Sequence, residues 1–236
     1  MSKNLFVIGT GTEVGKTYLS ALLVKKLQES GRSVGYFKAA MSGNERDAMG
    51  HLIPGDGQQV KQISGIPQAV EEMCPYVYER AVSPHLAAKM EGRQVEAAQI
   101  AESWQRVSSA YEYMTLEGSG GILCPLRMEE ERQLWLEDVI RMTQAPCLLV
   151  ADAGLGCINA VGLTAFYLKE KQIPLKGILL NRFRAGEAMY EDNRRQCEAV
   201  AGVPVLACVA EGAKELPLSA EAVASLYEGY EGGRTE

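Results

Sequence analysis

Histidine is scarce in this chain. Only two occur, His51 and His85, and they stand too far apart in sequence to suggest a zinc cluster. The six cysteines, Cys74, Cys124, Cys147, Cys157, Cys197 and Cys208, include no C-x-x-C pair. That spacing argues against a disulfide frame and a thiolate metal site, and buried thiols in a reducing compartment are expected instead. No run approaches about 18 uninterrupted apolar residues, so no membrane span is expected. The apolar part of "MSKNLFVIG" is too short for a secretory signal and runs directly into a motif. Excess positive charge is missing as well: 24 Lys+Arg stand against 30 Asp+Glu, a formal net charge of -6. A mildly acidic chain argues against nucleic acid as the main partner. It leaves room for phosphates, which need only a few local cations. No internal repeat stands out. The expectation is a cytoplasmic protein with no membrane and no nucleic-acid partner.

What is present is ample apolar material, 47% of 236 residues, arranged in alternating runs. Strands are expected at 4–9, 33–39, 113–121, 146–154, 175–182 and 203–211. Helices are expected at 15–31, 95–111, 131–143, 158–172, 187–202 and 219–230, with Gly31 closing the first. Uniformly apolar strands alternating with helices imply a mostly parallel sheet covered on both faces, an α/β three-layer sandwich. Ligands in such sheets bind beyond the carboxyl ends of the strands. That rule picks out Gly9, Lys38, Glu117, Asp152 and Asn181, where polar residues interrupt apolar runs. Residues 40–93 are less regular and read as a helical and loop insertion on the active-site side of a single domain spanning 1–236. The tail "EGGRTE" is expected to fray.

The segment "GTGTEVGKT" (9–17) follows the first strand and opens the first helix. A phosphate loop needs glycines so that backbone N–H groups can converge on oxygens, a lysine for the outer phosphates and a hydroxyl for Mg²⁺. Gly15, Lys16 and Thr17 supply the second half of that set at a helix N-terminus, where an anion is favoured. The strict G-x-x-x-x-G-K-[ST] spacing fails, because Gly9 is one residue too far from Gly15 and Gly11 one too near. The dinucleotide pattern G-x-G-x-x-G fails too: Val14 holds the third glycine position, and the next strand ends in Lys38 rather than a ribose-binding acid. A strand, a glycine-rich turn, G-K-T and an amphipathic helix together point to nucleotide-phosphate binding and a P-loop NTPase type of fold.

Other strand ends add candidates. Lys38 in "YFKAAMSG" (36–43) is a second cation for a transferring phosphoryl group, with Ser42 in the same loop. Asp56 in "PGDGQQV" either caps a helix or holds Mg²⁺. Glu117 opens "EGSGG" and is a candidate metal- or water-orienting carboxylate. Asn159 reads as a helix N-cap first and a ligand second. Asn181, beside Arg182, is an amide at a strand end that could read a purine edge.

Taken together these residues resemble the dethiobiotin synthetase family. "GTGTEVGKT" matches the family's G-T-x-T-x-V-G-K-T opening, whose longer spacing explains the failed strict pattern. "YFKAAMSG" is similar to its lysine loop. "SPHLAAKMEGR" (83–93), "LEGSGGILCPL" (116–126), "GLGCIN" (154–159) and "LLNR" (179–182) have counterparts in order, up to about residue 212. Gly11 departs from a frequent Asp, Ala39 from a Pro, and Gly57 from a small Ala.

The resemblance implies an ATP- and Mg²⁺-dependent ligase that closes the ureido ring of dethiobiotin from 7,8-diaminononanoate and CO₂, through a carbamate and a carbamic–phosphoric anhydride. It implies Lys16 and Lys38 as catalytic cations and Thr17, Asp56 and Glu117 as metal ligands. The nucleotide would lie against Glu13, Val14, Gly15, Lys16, Thr17, Tyr18, Asp56, Glu117, Gly118, Ser119, Gly120, Asn181, Arg182, Ala210 and Glu211. Thr12, Glu13 and Ser42 would face the diamine or carbamate. A homodimer is implied, with Asn159 and Tyr190 of the partner at the substrate tail. Two readings compete: a sister amide ligase, which lacks support because the chain ends before a glutamine-hydrolysing domain, and a partitioning-type ATPase switch, whose additional lysine near the loop's start is missing between Gly9 and Gly15.

Overall fold

A computed structural model describes residues 2–227. The chain runs β1 (Lys3–Gly9), α1 (Lys16–Glu29), β2 (Val34–Lys38), β3 (Ala40–Met41), α2 (Gly55–Ser64), a 3-10 turn at Val70–Glu72, β4 (Tyr76–Val77) and α3 (Pro84–Met90). It continues through α4 (Ala97–Ser108), β5 (Tyr113–Gly121), β6 (Pro125–Met128), β7 (Gln133–Trp135) and α5 (Leu136–Thr143). The last third holds β8 (Cys147–Asp152), α6 (Cys157–Glu170), β9 (Leu175–Asn181), α7 (Ala188–Ala201), β10 (Val205–Val209) and α8 (Ala220–Ser225).

Six strands form one sheet in the order β10-β9-β8-β1-β5-β2, and every pairing in it is parallel. Alternate residues on each strand feed opposite faces, as the pleat requires. On β1, Leu5 and Val7 join one core with Leu19, Leu23 and Leu27 of α1, Val60 of α2 and Val223 of α8. Phe6 and Ile8 join the other, with Trp104 of α4, Ile140 of α5, Val161 of α6 and Cys197 of α7. The result is the expected three-layer α/β sandwich. The chain leaves the central strand β1 for the edge strand β2, then returns, so the strand order reverses beside β1, where ligands collect in open sheets.

Some expectations needed revision. Residues 131–143 were expected to be helical throughout, but Gln133–Trp135 forms an antiparallel ribbon with β6 instead. The helix starts only at Leu136, where the Asp138 carboxylate accepts the Trp135 N–H at 2.7 Å and so caps the first turn. β5 covers the expected 113–121, and its last residue, Gly121, pairs with Gly9 after a register shift in β1. The last helix is short, Ala220–Ser225; the rest of the expected 219–230 helix beyond Tyr227, and the "EGGRTE" tail, lie outside the described residues. Among the described residues no helix is long and apolar enough to cross a membrane.

Candidate active site

The loop joining β1 to α1 passes twice through left-handed backbone, at Glu13 (φ 61°) and Gly15 (φ 92°). Neighbouring strand ends brace it. Arg182, just past β9, donates from Nη2 to the Glu13 carbonyl at 2.9 Å and from Nη1 to Asp152 Oδ2 at 2.6 Å. Asn181 Nδ2 donates to the Val14 carbonyl at 3.0 Å. Lys16 Nζ folds back to donate to the Gly11 carbonyl at 2.7 Å. Burial lowers the Lys16 pKa from 10.5 to about 8, and the nearby Lys38 charge pushes the same way.

The foot of this loop is a dense polar knot. In the β2–β5 register Lys38 lies directly opposite Glu117, which brings their side chains together on one face. Lys38 Nζ donates to Glu117 Oε1 at 2.8 Å and to Asp56 Oδ2 at 2.6 Å. Thr17 Oγ1 reaches Glu117 Oε1 at 2.8 Å and Asp56 Oδ1 at 3.2 Å. Asp56 therefore does not cap α2: it sits in the first turn without a side-chain capping bond and faces the lysine. Burial disfavours the Lys38 ammonium, but Glu117 and Asp56 outweigh that and hold its pKa well above the ordinary lysine value. Burial likewise opposes the Asp56 charge, and the Lys38 ammonium overrides it, leaving the carboxyl below its usual range.

Asp56 and Glu117 present hard oxygen donors that already converge on a cation, the Lys38 ammonium, and the Thr17 hydroxyl bonds both carboxylates. Among the described residues no group of three or more His, Cys, Asp or Glu could hold a metal. Two carboxylates with a hydroxyl nonetheless suit Mg²⁺, which is commonly held by one or two carboxylates together with phosphate oxygens and water.

These groups open onto a cleft of about 950 Å³. It is lined by most of the expected residues: Thr12, Glu13, Gly15, Lys16, Thr17, Tyr18, Lys38, Ser42, Asp56, Glu117, Ser119, Gly120 and Arg182. Val14, Gly118 and Asn181 lie behind this wall rather than on it. Ser119 Oγ donates to the Ala40 carbonyl at 2.7 Å, which ties β5 to the start of the lysine loop. Ala210 and Glu211 form an exposed turn after β10, and the Tyr18 hydroxyl donates to the Ala213 carbonyl in the same turn. Asn159 is exposed on the first turn of α6. Tyr190 is a correction: its ring is 8% exposed and packs edge-on against Phe183 at 5.8 Å, so it belongs to the core and not to a substrate surface.

Sequence reasoning missed part of the wall: Gln59, Ser83, Pro84 and Cys124 also line the cleft. It also missed Tyr36, whose signal was present. Tyr36 and Lys38 are two apart on one strand and must share a face.

The chain matches the AAA domain family over residues 3–214. It is 41% identical over 228 residues to the ATP-dependent dethiobiotin synthetase BioD of Clostridium botulinum (strain 657 / Type Ba4), covering 97% of this chain and 99% of that protein. To the protein of the same name from Brachyspira hyodysenteriae it is 37% identical over 228 residues, covering 97% and 100%. Among solved structures it resembles a ParA family ATPase from Chlorobium tepidum, with TM-score 0.53 at 15% identity over 89% of this chain and 85% of that one. It also resembles the septum site-determining protein MinD complexed with Mg-ADP from Pyrococcus horikoshii, with TM-score 0.51 at 16% identity over 96% and 95%. At such identities the likeness to solved structures concerns the fold, which is of the P-loop NTPase type.

Proposed function

The chain belongs to the ATP-dependent dethiobiotin synthetase family, which it matches over nearly its whole length, and on that premise we propose what its cleft does. It is a ligase that uses ATP to close the cyclic urea of dethiobiotin, a step of biotin synthesis, from 7,8-diaminononanoate and CO₂. One amine takes up CO₂ as a carbamate. A carbamate oxygen attacks the γ-phosphorus of ATP, ADP departs, and a carbamic–phosphoric anhydride remains. The second amine attacks the carbonyl carbon, closes the ring and expels phosphate.

The observation that carries this reading is the pair of lysines facing one cleft, Lys16 from the start of α1 and Lys38 from the end of β2. Carbamate and triphosphate are both anions, and neither approaches the other without fixed positive charge between them. Lys16 takes the outer phosphates and Lys38 the attacking carbamate. The loop's N–H groups over Glu13–Tyr18 cradle the phosphates at the start of α1. Thr17, Asp56 and Glu117 would hold Mg²⁺, which supplies further charge neutralisation at the phosphates. Thr12, Glu13 and Ser42 orient the diamine, so proximity contributes much of the rate. Arg182 and the Ala210–Glu211 turn border the purine, and Asn181 braces the loop from behind through the Val14 carbonyl.

The test is ADP release with Mg-ATP and bicarbonate, with and without the diamine, together with mass spectrometry of the product. Release that depends on the diamine and yields the cyclic urea is expected. Slow release indifferent to it would favour the ATPase-switch reading.

A homodimer is part of the proposal. Leu163 (63% exposed) and Phe166 (64%) fall on the face of α6 that also carries Asn159, and Leu155 (94%) stands in the turn just before the helix. Such an apolar stripe supports a partner surface, with Asn159 reaching the substrate tail across it. Asn159→Ala is expected to raise the KM for the diamine several-fold and leave that for ATP unchanged; the reverse ordering in steady-state kinetics would remove Asn159 from the substrate. The free cysteines support a cytoplasmic setting.

Lys16 gives the site a pH signature. Its folded-state pKa of about 8 lies below the ordinary 10.5, so between those values the folded chain holds fewer protons than the unfolded one. Its contribution to stability therefore rises with pH across that window. Triphosphate binding restores the missing proton. At about pH 9 the binding of ATP is expected to take up close to one proton, measured by calorimetry in buffers of different ionisation heat. Zero uptake would take Lys16 away from the phosphates.

A further inference from the structure

Glu117 is 1% exposed, and a carboxylate so far from water needs a donor for each oxygen. Its Oε1 is served twice, by Thr17 and Lys38. Its Oε2 has one donor, the Tyr36 hydroxyl at 2.9 Å. Tyr36 has little freedom to leave. Its ring is fully buried, and its backbone is clamped on the open edge of β2 by Gln68. The Tyr36 N–H donates to Gln68 Oε1 at 2.7 Å, and Gln68 Nε2 donates to the Tyr36 carbonyl at 3.0 Å. The phenol therefore fixes the plane of the Glu117 carboxyl and decides which of its oxygens faces Thr17 and Asp56.

We propose that Tyr36 is a positioning residue that makes Glu117 a one-oxygen donor and thereby biases the site toward Mg²⁺ over Ca²⁺, a role that rests on reading Thr17, Asp56 and Glu117 as the metal donors. The chemistry follows from what the two ions accept. Mg²⁺ demands a near-ideal octahedron and takes one oxygen from each carboxylate. Ca²⁺ is larger, tolerates irregular shells and readily takes a carboxylate through both oxygens. With Oε2 committed to Tyr36, Glu117 can offer only Oε1. Without the phenol the carboxyl is free to turn and offer both.

Tyr36→Phe removes the hydroxyl alone. The measurement is Mn²⁺ bound to the full chain with ADP, followed by water-proton relaxation, and its displacement by Mg²⁺ and by Ca²⁺. In the wild type Mg²⁺ is expected to displace Mn²⁺ at much lower concentration than Ca²⁺. In Tyr36→Phe that preference is expected to shrink about tenfold, while ADP affinity in EDTA stays within about twofold. An unchanged preference in a variant that melts and binds ADP like the wild type would overturn the proposal. If Tyr36→Phe does not fold, 3,5-difluorotyrosine at position 36 keeps the shape and strengthens the donor. The preference is then expected to widen at least twofold, and no change overturns the role equally. A wild-type protein with no nucleotide-dependent Mn²⁺ site would instead sink the metal reading, and the proposal with it.

Discussion

Lys38→Met is expected to lower kcat by about 10²–10³-fold, the cost of removing one fixed charge from a phosphoryl-transfer site, while the Kd for ATP changes only a few-fold. The split follows from where Lys38 sits. It lies at the end of β2, at the foot of the loop proposed to hold the phosphates, and among the described residues its ammonium pairs with Asp56 and Glu117. On the proposed mechanism it faces the incoming carbamate, and its charge matters most as the two anions meet. Because both carboxylates keep Lys38 protonated well above the ordinary lysine range, its charge persists through the alkaline limb at which Lys16 titrates. The same substitution leaves Glu117, 1% exposed, without its ammonium partner, and breaking a buried pair in this way costs roughly 3–5 kcal/mol. The melting temperature in EDTA is therefore expected to fall, and Mg²⁺ to restore much of it by taking up the vacated charge. Single-turnover kinetics, ATP titration and thermal melts check the three statements together. Turnover within tenfold of wild type would remove Lys38 from the reaction.

How much of this was legible depends on whether the cause was local. Gly9, Lys38, Asp152 and Asn181 end their strands as expected, because strands buried on both faces read as unbroken apolar runs and a glycine or polar residue breaks the run where the strand ends. Thr17 beside Lys16 was legible because a helix start dictates it. The partnership of Lys38 with Glu117 was not, because it depends on β5 inserting between β1 and β2, a decision of topology that no spacing encodes. Tyr36 was legible only in part: strand spacing puts it on the face of Lys38, but its value appears only once β5 brings Glu117 alongside. The ribbon of β6 and β7 was misread because "ERQLWLEDVI" has helical spacing of its apolar residues; cross-strand pairing won over that local pattern. Tyr190 came from an analogy of position, and the core needed its ring.

Gly15→Ala is expected to weaken ATP binding by about 10²-fold, about 2.7 kcal/mol, while the fold survives. Two independent obstacles meet at this residue. Its φ of 92° lies in backbone that side chains rarely adopt, a strain of roughly 1–3 kcal/mol for a non-glycine residue. An added Cβ would also stand 2.1 Å from Asn181 Nδ2, far inside contact. Asn181 can yield only by giving up its bond to the Val14 carbonyl, which is one of the braces behind the loop. Either the loop opens or its brace is lost, and both spoil the convergence of N–H groups on which phosphate binding depends. Gly11→Ala is the control. A Cβ there meets nothing within 4 Å, so near-wild-type affinity is expected although the residue belongs to the same glycine-rich turn. The double variant Gly15→Ala with Asn181→Ala separates the causes. It relieves the clash and leaves the strain, so part of the affinity lost in Gly15→Ala should return in an ATP titration. Complete recovery would assign the loss to the clash alone. Equal losses for Gly11→Ala and Gly15→Ala would mean that the phosphates are not held by this turn.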